Sequence, residues 1–196
     1  MENPYIFRSK TVWISAAITY TFTGILVIQT VLVSNLRTNL IAIFLGALVC
    51  NLAYLLFIRP KIAFFNEGIV ITNPLTKFTI GWHEVESIDS RYTMSISVAG
   101  KKIHAWAAPA PGRYHARTLH ASEIKGLKLE SNTLLRPGDS PRSESGQAQY
   151  LAKMRLEAFQ KGNFEGLARS TQFNVIGMAI TVIAALCVLL LYKVIP

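Results

Sequence analysis

Three long apolar stretches, none containing a charged side chain, constrain this chain more than any other feature. They are Thr11–Leu36 between Lys10 and Arg37, Thr38–Ile58 between Arg37 and Arg59, and Ser170–Tyr192 between Arg169 and Lys193. A helix rises about 1.5 Å per residue and the hydrocarbon layer of a bilayer is roughly 30 Å thick, so about 20 mostly apolar residues cross it. Each stretch meets that length, and core helices of soluble domains rarely stay charge-free for so long. The pattern predicts three transmembrane helices. It leaves one contiguous water-soluble segment, Arg59–Arg169, of 111 residues, which suits one small domain with an extension. The first stretch exceeds the roughly 7–15 apolar residues of a secretory signal and is expected to stay in the protein.

Charge sets the expected orientation. Of the 20 Lys and Arg, 16 lie between Arg59 and Arg169, with 10 of the 11 Asp and Glu, a local net charge of +6 within a chain total of +9. Arg8 and Lys10 precede the first span, Arg59 and Lys61 follow the second, and Lys153, Arg155, Lys161 and Arg169 precede the third; only Arg37 and Lys193 flank the opposite ends. The positive-inside rule places the N-terminus and the soluble segment in the cytoplasm and the C-terminus outside, for a multi-pass protein of the plasma membrane. Excess basic charge beside a bilayer also attracts anionic phospholipid. No continuous basic stripe or reading helix is present, so nucleic acid is not an expected partner. Cys50 and Cys187 both fall within spans, and a soluble segment without cysteine fits a reducing compartment.

Within the spans, small residues recur at helical spacing: Ala17, Thr21 and Gly24 in the first, Ala42, Gly46, Cys50 and Ala53 in the second, and Gly177, Thr181 and Ala185 in the third. Such faces let helices approach closely where the solvent is already apolar. They serve either to join the three helices or to leave a lipid-facing groove for a partner. The short turn Arg37-Thr38-Asn39 makes the first two spans an antiparallel hairpin. Asn51 and Asn174 are suited to interhelical hydrogen bonds, and without ionisable residues in the spans a transport pathway is not expected.

After Arg59-Pro60 the period becomes strand-like. Lys61–Phe65, Ile69–Thr72, Lys77–Trp82, Ile88–Tyr92, Met94–Val98 and Lys102–Trp106 are separated by turns at Asn66-Glu67-Gly68, Asn73–Thr76 and Ala99-Gly100-Lys101. About six strands in so short a segment predict a small curled antiparallel sheet. Ala107–Gly112 carries prolines that remove ladder donors and is expected to exit the sheet. Arg113–Gly146 is polar and rich in Ser, Pro and Gly and is expected to be loop. Gln147–Lys161 then predicts a helix with Tyr150, Leu151, Met154 and Ala158 on its apolar face and Gly162 as its stop, placed either against the open sheet or along the bilayer surface. The organisation is an N-terminal two-helix hairpin over 1–58, a β domain over 59–112, an insert over 113–146, an amphipathic helix and connector over 147–169, and a third span over 170–192.

Arg59-Pro60 directly after a helical hairpin, Glu67-Gly68-Ile69-Val70-Ile71-Thr72-Asn73-Pro74, Ile80-Gly81-Trp82-His83-Glu84-Val85-Glu86-Ser87-Ile88 and Ala105-Trp106-Ala107-Ala108-Pro109-Ala110-Pro111 together carry a family likeness. Over roughly 47–112 the chain resembles the bacterial PH-like domain membrane proteins of the actinobacterial group named after a low-molecular-weight antigen. The resemblance implies an α+β membrane protein with a small PH-like antiparallel β-barrel or sandwich between the second and third helices, on the cytoplasmic face. It also implies Trp82 and Trp106 as sheet-core residues. The third span and the segment 113–169 depart from that group's two-span form. Eukaryotic PH domains often bind inositol phosphates through basic residues of the first hairpin; here that turn is Asn66-Glu67-Gly68, short and acidic, so that role does not transfer.

No constellation for catalysis stands out. His83, His104, His115 and His120 lack the spacing of metal ligands, and neither a nucleophile elbow nor a phosphate-cradling glycine loop occurs. Glu84 and Glu86 would share a strand face, as a solvated or partner-facing edge. Neither enzymatic activity, a cofactor, a metal nor a small-molecule substrate is expected. Two readings remain. The first is a membrane-anchored adaptor, an accessory subunit bracing a larger integral membrane complex on its cytoplasmic face; the family's context suggests an actinobacterial respiratory assembly. The alternative is a sensor of anionic lipid head groups using Arg8, Lys10, Arg59, Lys61, Lys161 and Arg169, each contributing about 1 kcal/mol near the surface. Those cations already account for topology, which favours the adaptor.

Overall fold

Asparagine caps, and not the ends of the apolar runs, set where two of the long helices begin. The computed structural model describes residues 4–9, 11–110 and 143–194. In chain order its elements are β1 (Tyr5–Phe7), α1 (Thr11–Val33), α2 (Leu36–Ala53), a π-helical turn (Tyr54–Ile58), β2 (Lys61–Phe64), β3 (Gly68–Thr72), β4 (Thr76–Gly81), a 3-10 turn (Trp82–Glu84), β5 (Ser87–Asp89), β6 (Thr93–Val98), β7 (Lys101–Pro109), α3 (Glu144–Lys161), β8 (Ser170–Phe173) and α4 (Val175–Val194). The chain divides into two compact units. One comprises Met1–Ser9, Lys61–Asn73 and Lys77–Thr171; the other comprises Lys10–Pro60, Pro74–Thr76 and Gln172–Pro196.

In the helical unit, Thr11–Val33, Leu36–Ile58 and Val175–Lys193 are long and apolar enough to cross a membrane. The hairpin turn lies at Ser34-Asn35, ahead of the expected Arg37-Thr38-Asn39. The Asn35 side chain accepts the Thr38 N–H at 3.0 Å and so starts α2 before Arg37. The third helix begins later than the apolar run that contains it: Ser170–Phe173 is a strand, and Asn174 Oδ1 accepts the Gly177 N–H at 3.3 Å at the start of α4. Asn51 Nδ2 donates to Thr181 Oγ1 at 2.8 Å and to the Gly177 carbonyl at 3.3 Å, joining α2 to α4. At one end of the pair Arg37 Nη2 donates to the Tyr192 carbonyl at 2.9 Å; at the other Arg59 Nη1 donates to the Pro74 carbonyl at 3.0 Å, and the Asn174 N–H to Leu75 O at 2.8 Å. Helices α2 and α4 therefore run antiparallel. A guanidinium on the last carbonyls of α4 also complements that helix's negative end.

The other unit is all antiparallel where strands pair. One sheet has the order β1-β2-β3-β4-β8, the second β5-β6-β7, and neither is closed. Alternation along β2, β3 and β4 turns Ile62, Phe64, Ile69, Ile71 and Ile80 inward, where they meet Met94, Ile96 and Val98 of β6 in a single core. The β6–β7 hairpin turns through Ala99 and Gly100, both at positive φ, as a two-residue loop on right-twisted strands requires. Strand β1 comes from the N-terminal segment that sequence reading assigned to the helical hairpin; Phe7 pairs with Ile62 and is buried. Strand β7 runs to Pro109, beyond the expected exit at Ala107. It is an edge strand, where a missing N–H is tolerated, and Thr93 Oγ1 donates to the carbonyls of Ala105 at 2.6 Å and Ala108 at 2.9 Å across a register shift.

Helix α3 starts a turn earlier than Gln147, because Ser143 caps it by accepting the Gly146 N–H at 2.9 Å. Its buried face also differs from the expected one. Ser145, Ala148 and Ala152 face the core, with Leu151, as expected, and Leu156 and Phe159 packed against it, whereas Tyr150, Met154 and Ala158 are exposed. Small side chains let the helix approach the sheets closely, and a reading weighted toward bulky apolar residues selects the wrong phase. A further correction concerns the tryptophans. Trp82 is 1% exposed and its Nε1–H donates to the Phe65 carbonyl at 3.0 Å; Trp106 is 55% exposed. On β7 the pleat turns Ile103, Ala105 and Ala107 inward, so Trp106 must face out. Accordingly, Trp82→Ala should cost about 3–5 kcal/mol through the cavity it leaves. Trp106→Ala should cost under about 1 kcal/mol, both read by denaturation of the purified full chain.

Candidate functional site

Helix α3 lays its half-apolar flank beside the β1–β2 pair, and the two do not close on each other. Tyr5, Phe64, Leu151, Met154, Arg155 and Ala158 line a cavity of about 240 Å³. Register places Tyr5 opposite Phe64, with ring centroids 6.5 Å apart. The helix is held at this distance by polar contacts on either side: Arg155 donates to Asn66 Oδ1, Gln149 Nε2 to the Ile88 carbonyl at 3.2 Å, and Ser9 Oγ to Glu144 Oε1 at 2.6 Å. The volume is smaller than the roughly 300 Å³ at which ligand pockets begin. It suits one or two apolar side chains of a partner. Arg155 is its sole titratable lining group besides Tyr5, so the groove holds no acid–base pair.

Sequence reading singled out Leu151, Met154 and Ala158 but missed Tyr5 and Phe64. The Tyr5-Ile6-Phe7 triplet just before the first helix is short and apolar throughout, with no alternation to mark a strand. Its partner strand lies more than fifty residues on, so no local pattern reports the pairing.

The cations proposed for head groups fall in different places. Arg59 belongs to the helical unit and is committed to the Pro74 carbonyl; burial lowers its pKa from the ordinary arginine value. Arg8, Lys61, Lys161 and Arg169 belong to the sheet unit. Arg8 follows Phe7, which pairs with Ile62, so it lies by register next to Lys61; Lys161 ends α3 and Arg169 precedes β8. Lys10 lies outside the described residues, as do His115 and His120.

The small helix faces divide sharply. Gly46, Ala53 and Gly177 are buried and Ala42, Thr181 and Ala185 half-buried. A Cβ on Gly46 would stand 2.7 Å from Val27 Cγ2 and 3.5 Å from Thr23 Cγ2, so α1 and α2 meet closely there. On α1, by contrast, Ala17 and Thr21 are exposed, and a Cβ on Gly24 would have nothing within 4 Å. The face of α1 that packs carries Ala16, Thr23 and Val27, out of phase with the one singled out.

Among the described residues no group of three or more His, Cys, Asp or Glu is arranged to hold a metal ion. His83 Nε2 lies 3.8 Å from Glu84 Oε1 beside it in sequence, and His104 is exposed on β7. Glu84 sits in the 3-10 turn and does not share a strand face with Glu86, whose carboxylate accepts the Gly100 N–H at 3.2 Å and steadies the β6–β7 turn. Asp89 is likewise structural. Its Oδ2 accepts Lys102 Nζ at 2.6 Å, and that bond, with those from the Ser90 and Arg91 N–H groups, holds its carboxyl below the ordinary 3.8.

Comparison with family models, curated proteins and solved structures finds no match for this chain.

The Asp89 pair gives a pH test. A carboxyl whose folded pKa is depressed stabilises the fold above its unfolded pKa, and loses that contribution as pH falls through its folded one. The pair is half-exposed, so Asp89→Asn, which keeps an acceptor for the backbone bonds, should cost only about 0.2–1 kcal/mol near pH 7. In denaturation measured as a function of pH, the difference from wild type should begin to shrink as pH falls below 3.8 and vanish only below the lower folded value.

Proposed function

We propose that this chain is a non-enzymatic, membrane-anchored adaptor: an accessory subunit that braces a larger integral membrane complex on its cytoplasmic face. The carrying observation is the unused small-residue face of α1, Ala17, Thr21 and Gly24, on a bundle whose other small faces are spent on its own packing. In hydrocarbon no hydrophobic force draws helices together, and close approach at small residues is what selects a partner helix. A face of this kind on the outside of the bundle fits a helix of another subunit.

Three further points support the reading. Two antiparallel meanders followed by a helix packed on them agree with a PH-like module, and such a module offers surfaces for binding. The lysines and arginines near the Arg59 end of the helices outnumber those near the Arg37 end, which favours a cytoplasmic sheet unit and an outward C-terminus. The groove beside α3 is apolar and sized for protein side chains. The host complex, which the family resemblance points to as an actinobacterial respiratory assembly, belongs to this proposal alone.

Purification of the tagged chain from its membranes in mild detergent, followed by mass spectrometry, tests it: a stable integral membrane partner should co-purify, and recovery of the chain alone and monodisperse would count against the adaptor. Gly24→Leu should leave folding intact, because the position is open, while reducing partner recovery about tenfold or more. Gly46→Leu should instead disrupt the chain's own α1–α2 contact and lower its thermal stability without a partner present.

A further inference from the structure

The turn Pro74–Thr76 is part of the β3–β4 hairpin in sequence, yet it belongs to the helical unit. The Leu75 carbonyl accepts the N–H of Asn174, the residue directly before α4, at 2.8 Å. The Pro74 carbonyl accepts Asn174 Nδ2 at 3.4 Å and Nη1 of Arg59, the residue directly after Ile58, at 3.0 Å. The turn is thus bonded to the start of one long apolar helix and the end of another. At that level two large apolar side chains are exposed, Leu75 at the tip of the turn at 48% and Phe173, next to Asn174, at 67%. Val175 and Ile176 continue the same exposed apolar surface onto α4, and Tyr54 lies in the last turn before Arg59, also exposed.

We infer that Pro74–Thr76 is a bilayer-interface element, with Leu75 and Phe173 seated at the boundary between head groups and acyl chains. The occupant of this surface is lipid. Continuity with the exposed apolar residues Val175 and Ile176 of α4 argues for it. This inference rests on the proposed membrane insertion of the three helices, and its test separates the two.

The full chain, with Cys50→Ala and Cys187→Ala, is spin-labelled at one introduced cysteine and reconstituted into liposomes of phosphatidylethanolamine and phosphatidylglycerol. Collision rates of the nitroxide with oxygen and with a water-soluble nickel chelate report depth. Labels at Ile180→Cys, mid-helix and exposed, and at Arg91→Cys, in an exposed turn of the sheet unit, give the two references. The oxygen-to-nickel ratio at Leu75→Cys and Phe173→Cys should be several-fold above that at Arg91→Cys and below that at Ile180→Cys. A lipid-like ratio at Ile180→Cys with a water-like ratio at Leu75→Cys would overturn the interface role and leave the membrane reading standing. So would a Leu75 label shielded from both reagents, which would mean a protein covering, from this chain or a second copy. A water-like ratio at Ile180→Cys would overturn the membrane reading itself, and this inference with it.

Discussion

A buried peptide group without a hydrogen-bond partner costs more than almost any single side-chain contact returns, and the ends of long apolar helices are where that debt concentrates. Three side chains meet it here: Asn35 opens α2, Asn174 lies at the opening of α4, and Arg37 reaches the Tyr192 carbonyl near the close of α4. Arg59, just after the π-helical turn, reaches the Pro74 carbonyl of the β3–β4 turn. These contacts do more than terminate helices. Because Arg37 and Arg59 sit at opposite ends of α2 and each is tied to α4 or to the turn bonded to it, they fix the register of the two helices along their whole length. Asn51, midway, adds the bond to Thr181 that a purely apolar interface could not supply.

The sheet unit solves a different problem, that of a small core. Strands three to nine residues long leave two open sheets, and neither covers its own inner face. Helix α3 supplies the cover, and it does so with Ser145, Ala148 and Ala152 in place of larger residues. A helix approaching that closely leaves no room for its bulkier side chains underneath, so Tyr150 and Met154 are displaced to its flank. The groove beside Tyr5 and Phe64 is therefore a consequence of how the helix packs. An apolar, shallow, unreactive surface is the natural product of that geometry.

What was legible in the sequence followed from local chemistry. Charge-free length marked the three long helices, and period-two alternation with Asn, Pro and Gly punctuation marked β2 through β7. What was not legible depended on distant partners. Nothing near Tyr5-Ile6-Phe7 announces a strand, because the residues that make it one, Ile62 to Phe64, lie beyond two helices. The start of α4 was placed too early because Ser170–Phe173 is as uncharged as the helix after it; only the pairing of β8 and the Asn174 cap distinguish them. The family resemblance implies Trp106 as core, where the parity of β7, set by Ile103 and Ala105, decides the matter. The small-residue faces were visible as spacing, but which of them the bundle uses for itself depends on helix rotation, which composition does not encode.

The two candidate partner surfaces differ in what they can contribute to binding. A groove in water gains from the hydrophobic effect, about 1.5–3 kcal/mol for each large apolar side chain seated in it. Its small volume limits that to one or two such groups, and association costs several kcal/mol before any gain shows. The Ala17, Thr21 and Gly24 face gains nothing from leaving water, since lipid surrounds it on the membrane reading, and depends on shape and close contact. Neither surface alone makes a strong interaction. Held on one chain, however, the second engages at an effective concentration set by the first, and modest sites combine into a durable one provided both can be met at once.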